Sequence, residues 1–153
     1  MGFTQKTIVK KPLQIDKLRK RLKGASRVKV GLPKGSLPYP DGTSVIDVGL
    51  WNEFGTVNIP ERSFLRTGIQ KNLPKYAKIN RKNLKAVLQG SLTTEKSLNR
   101  LGAIAAGDVK ENITAIRKPP NKPATIRKKG SANPLIAENG HLRASITYEV
   151  DDA

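Results

Sequence analysis

Cysteine is absent from this chain, which removes a disulfide framework, a thiolate zinc site and a cysteine nucleophile together. Histidine occurs once, as His141, so neither a histidine-based metal centre nor a Ser-His-Asp arrangement has partners to draw on. Aromatic residues make up 5% of the sequence, too few to interleave with its basic runs as a base-stacking platform. No run approaches the roughly 18 to 20 apolar residues that a bilayer span requires, and residues 1–12 hold no apolar stretch of signal-peptide length. The sequence therefore reads as soluble and unexported, with no membrane partner.

Carboxylates are also scarce. There are 12 Asp and Glu against 29 Lys and Arg, a net charge of +17. The mid-chain acids Asp41, Asp47, Glu53 and Glu61 fall at spacings that suit neither a metal nor an acid–base pair. The run Gly31-Leu32-Pro33-Lys34-Gly35-Ser36 lacks the full phosphate-loop spacing and contains a proline, which excludes nucleotide binding. No cofactor, metal or catalytic residue is expected, and the chain reads as a non-enzyme.

The positive charge is unevenly spread. Residues 1–35 carry eleven cations against one acid and residues 71–130 fifteen against three, whereas residues 36–70 and 131–153 are slightly acidic. Such an excess attracts a polyanion, nucleic acid or an acidic protein surface, by long-range forces that salt weakens. The runs at 17–23 and 117–129 are the densest, and either DNA or an acidic neighbour suits them.

A chain of 153 residues fits one domain. Residues 1–12 read as a mobile basic N-terminus with a weak edge strand over 6–10. Ile15, Leu18 and Leu22 give a short helix closed by Gly24. Val28, Val30 and Leu32 alternate with polar neighbours as a half-buried strand does. Three prolines and two glycines make 33–43 an exposed loop. Thr43 or Ser44 then caps a helix that puts Val45, Val48, Trp51 and Phe54 on one face and stops at Gly55.

A second helix is expected from Ser63 to Gly90 on Leu65, Ile69, Leu73, Tyr76, Leu84 and Val87, kinked or broken at Pro74. The strongest apolar stripe, Leu98, Leu101, Ile104, Ala105, Val109, Ile113 and Ile116, predicts a third helix opened by Thr93 or Thr94. Residues 117–130, with Pro119, Pro120 and Pro123 among many cations, read as an extended basic linker with one turn at 124–128. A helical turn from Leu142 then leads into a strand ending at Val150 that can pair with 27–32. The order predicts an α+β fold: a small antiparallel sheet from strands near both ends, packed with two or three long helices.

Two stretches carry a family resemblance. Leu50-Trp51-Asn52-Glu53-Phe54-Gly55-Thr56, followed by Ile59-Pro60-Glu61-Arg62-Ser63-Phe64-Leu65-Arg66, resembles the "NEFGT … IPxRPFLR" signature of neck and minor tail proteins of tailed phages. The run from Pro123 through Pro134-Leu135-Ile136 to Gly140-His141-Leu142-Arg143-Ala144-Ser145-Ile146 resembles the same family's "PLxxTGxLRxSI" ending, with Glu138-Asn139 where Asp-Thr is usual. The resemblance spans roughly residues 45 to 150. It implies a virion protein of the tail-completion and head–tail connector group, assembled in the bacterial host cytoplasm. It further implies a homo-oligomeric ring between portal and tail proteins, with genomic DNA passing through its channel.

Within the first motif, Phe54, Phe64 and Leu65 are placed to pack together, and Arg62 and Arg66 share a face. The arginines either bond to helix ends around a local core or cross a subunit boundary to an acid such as Glu53 of a neighbour, a pairing that suits the arginine fork. Candidate subunit or partner contacts are Glu53, Arg62, Arg66, Lys118, Lys122, Arg127, Lys128 and Arg143. The alternative function is non-specific nucleic-acid binding by a basic protein of the ribosomal or nucleoid kind.

Overall fold

A computed structural model describes residues 13–137 and 140–151. The elements run α1 (Leu13–Leu22), β1 (Arg27–Gly31), α2 (Val45–Phe54), α3 (Leu65–Gln89), α4 (Thr94–Ala115), α5 (Pro123–Lys129), α6 (His141–Ser145) and β2 (Thr147–Asp151). The α+β expectation is met: two long helices pair with each other, and one of them, α4, carries an antiparallel pair of strands from opposite ends of the chain. The basic N-terminus and the edge strand expected over 6–10 lie outside the described residues.

The centre is α4. Its apolar stripe buries Ala105, Ala106, Val109 and Ile113, around which Val45, Phe64, Leu135, Leu142 and Ile146 close the core. The polar cap is supplied by Thr93, whose hydroxyl accepts the Lys96 amide at 3.2 Å, satisfying one of the free N–H groups of the first turn. The two long helices form a hairpin tied by side chains. Asn112 donates to the Phe64 carbonyl (2.7 Å) and the Thr67 hydroxyl (2.9 Å), Lys75 pairs with Asp108 at 2.6 Å, and Asn83 donates to the Ser97 carbonyl at 3.3 Å.

In the sheet Val28 faces Val150 and Val30 faces Tyr148. A two-stranded ribbon is marginal alone, and this one lies on α4. A methyl group added at Gly102 would overlap the Tyr148 ring and Val28, so the glycine is what lets the sheet seat directly on the helix backbone. On the outward face Lys29 meets Asp151 at 2.7 Å, and the neighbouring cations Lys29 and Arg27 hold the Asp151 carboxyl below its usual range.

Four expectations need correction. Pro74 lies inside α3, yet the helix is unbroken from Leu65 to Gln89. Pro74 and Gln70, whose carbonyl loses its helical donor, both stand on the exposed side, where solvent takes up the lost bond. The same helix starts at Leu65 rather than Ser63. In α2 the expected face of Val45, Val48, Trp51 and Phe54 is not the one buried: Trp51 is 41% and Phe54 62% exposed, and Gly49, Asn52 and Glu53 turn inward with Val45. Periodicity of apolar residues misses this because two of the inward groups are polar and hydrogen-bonded. Finally, the 117–130 segment is not a linker throughout: the turn expected at 124–128 is there but lengthens into α5, with Pro123 at its first position and Gly130 closing it at φ 66°.

Two glycines of α4 should respond oppositely to alanine. Gly102→Ala should cost about 1–3 kcal/mol through overpacking against Tyr148. Gly107→Ala meets open space and should gain about 0.5–1 kcal/mol from helix propensity. Urea unfolding of both variants checks this, and a shift of the same sign in each would contradict the seating of the sheet.

Candidate partner-binding surface

The corner between α2 and α3 is built around two buried charges. Phe64 precedes α3 with αR dihedrals and offers no side-chain cap, so the first amides of the helix need an outside acceptor. Glu53, 6% exposed on the last turn of α2, supplies it. Its carboxylate accepts the Leu65 amide at 2.8 Å, the Arg66 amide at 3.0 Å and the Ser63 hydroxyl at 2.7 Å. A carboxylate at a helix N-terminus gains from the aligned peptide dipoles as well as from the bonds. Arg66 lies 3.9 Å from the same carboxylate, pairs more closely with Glu61, and holds its guanidinium 5.7 Å from the Phe54 ring centre.

Arg62 faces the other way. It is 5% exposed. Its backbone amide donates to the Asn52 carbonyl at 2.6 Å, and its guanidinium donates to Pro119 O (2.7 Å), Pro120 O (3.2 Å), Asn121 Oδ1 (3.0 Å) and Asn52 Oδ1 (3.3 Å). Burial pushes the guanidinium pKa down, though the group stays charged. Lys129 joins this network, donating to the Pro134 carbonyl at 2.9 Å; burial and then the nearby Arg62 charge push its ammonium down. The hydrogen bonds of these two cations end on carbonyl and amide oxygens. The network clamps the irregular stretch 117–122 and the start of the second family-like run onto the α2–α3 corner.

Of the candidate contacts, the structure thus brings Glu53, Arg62 and Arg66 together within one chain, with Glu53 and Arg62 buried and only Arg66 well exposed. Lys118, Lys122, Arg127 and Lys128 stand exposed along the 117–129 arch, with Lys128 close enough to Asp41 to help hold that carboxyl low, behind the larger effect of the Thr43 amide bond. Arg143 is exposed on α6 and donates to the Lys110 carbonyl at 3.3 Å. His141 bonds to the Leu37 carbonyl at 2.7 Å and packs edge-on to Tyr39 at 4.7 Å, which holds the 33–43 loop to α6.

Sequence reasoning missed an open apolar groove between α2 and α3. Leu32, Ile46, Leu50, Phe54, Leu65 and Ile69 line a space of about 550 Å³, roofed at one end by Arg66. The signal was present in the apolar run of α2, but its assignment to the core hid it. Among the described residues no cluster of three or more His, Asp or Glu could hold a metal, and no helix is long and apolar enough to cross a membrane.

Replacing Arg62 with Met should lower stability by about 1–3 kcal/mol by orphaning buried acceptors. Arg62→Lys should recover less than half, because an ammonium cannot fork to four oxygens. Hydrogen exchange at the Ile126 amide, which bonds to the Lys122 carbonyl at 3.0 Å, should quicken in both variants. Unaltered melting and exchange would show that the arch holds without this residue.

Comparison with known protein families, known proteins and solved structures finds nothing that matches this chain.

Proposed function

We propose that this chain is a structural protein of a tailed bacteriophage virion, a neck or tail-completion subunit that forms a ring at the head–tail junction and joins head to tail. The reading begins from the resemblance of two sequence runs to that family. The observation that carries it is that these runs are tied together: Arg62 of the first bonds to Asn121, whose side-chain amide donates in turn to the Pro134 carbonyl of the second. Both runs are thereby accounted for as one folded unit, with Glu53 fixing the α2–α3 corner from inside the chain.

The corner also presents what an assembling subunit uses. Leu50 and Phe54 are exposed in the wall of the apolar groove, and contiguous apolar surface of this kind is a feature of protein contacts. The neighbour in this reading is a second copy of the chain, set head-to-tail so that rotation closes a ring, with portal and tail proteins above and below. Residence in the virion, assembly in the host cytoplasm and a non-catalytic role follow from the same proposal.

Native mass spectrometry of the purified protein, alone and with the portal or tail protein of the same phage, tests it. A closed symmetric oligomer is expected in at least one condition. The Leu50→Glu/Phe54→Glu variant should lose that oligomer while its melting temperature stays within a few degrees, since Leu50 is 49% and Phe54 62% exposed. A monomer under every condition would sink the assignment.

A further inference from the structure

The helix α3 runs 25 residues with no Asp or Glu. Lys71, Lys75, Lys78, Lys82 and Lys85 follow one another at intervals of four, three, four and three residues, which places them in a single row along one flank. All five are exposed. The row is about 21 Å long at 1.5 Å per residue. At its first end Lys71 bonds to Asn112 and Lys75 to Asp108 of α4. Beyond them Lys78, Lys82 and Lys85 make no hydrogen bond or ion pair among the described residues, and Arg81 adjoins them.

We infer that the lysine flank of α3 binds the phosphate backbone of duplex DNA without reading its sequence. A row of one sign over that length matches a target whose charge is regular and linear, and one DNA strand presents a phosphate about every 3.4 Å along the axis. Lysine is the suitable cation: a point charge on a flexible stem tolerates the mismatch between residue and phosphate spacing, where an arginine fork demands fixed geometry. An acidic protein partner would need anchoring groups at the centre of its contact, commonly aromatic residues or arginine, and the row itself has none. The basic arch at 118–128 competes poorly for the role, since its backbone bends at Pro119, where Arg62 holds it, and passes into α5 instead of setting its cations in one row. This surface needs no ring: a monomer that binds duplex through α3 would uphold the inference and refute the assembly reading.

Fluorescence anisotropy of the full chain with two labelled duplexes of unrelated sequence, from about 50 to 200 mM salt, tests it. The four lysines without a carboxylate partner give a salt exponent of about 3.6, a loss near 150-fold across that range. The Lys78→Gln/Lys82→Gln/Lys85→Gln variant should lower the exponent by about 2.7, leaving a loss of about 3- to 4-fold. The Lys118→Gln/Lys122→Gln/Lys128→Gln variant removes the same net charge and should change the exponent by less than about one unit. Circular dichroism confirms that both variants fold. Equal effects of the two triples, no binding at the lowest salt, or displacement of the duplex by poly-glutamate at equal charge concentration would each overturn the assignment.

Discussion

The start of α3 carries unsatisfied amides and no cap of its own, and a carboxylate from the preceding helix satisfies them. Without Glu53 in that position, α2 would have no reason to turn polar residues inward, and Phe64 would not be held at the head of α3 with its side chain in the core. The arrangement also decides which residues stay outside. Because Asn52 and Glu53 take the inward face, Trp51 and Phe54 are forced onto the surface, and the apolar groove is the direct result. One buried acid thus sets the helix start, the core anchor and the exposed patch together.

The legible part of the fold was that in which apolar period and burial agree. In α4 the sequence pattern and the buried face coincide at Ala105, Val109 and Ile113, and the alternation at Val28, Val30, Tyr148 and Val150 located both strands and their pairing. The pattern failed where polar groups do structural work. Nothing in the spacing of α2 reveals that Glu53 will be consumed by amides twelve residues on, and a proline in the middle of α3 reads as a break unless its solvent-facing side is known.

The candidate site was legible in composition more than in place. Arg62 and Glu53 stood out within a motif, but sequence could not tell a contact across subunits from a bond within one chain; distance and burial put both inside. The cations of 71–85 were visible only as part of a segment total, although their four-three spacing was available for reading. Net charge discards periodicity, and periodicity is what turns scattered lysines into a surface.

Arg62 sits in an interior where the oxygens that hold its guanidinium are all uncharged. Its comfort depends on carbonyls contributed by a prolyl stretch remote in sequence. Lifting that stretch away would strand a full positive charge with too few acceptors, an expensive state in a low-dielectric setting. Any tug applied at residues 117–122 is therefore passed to the junction of the two helices rather than absorbed locally, and the arch and the corner must shift as one body.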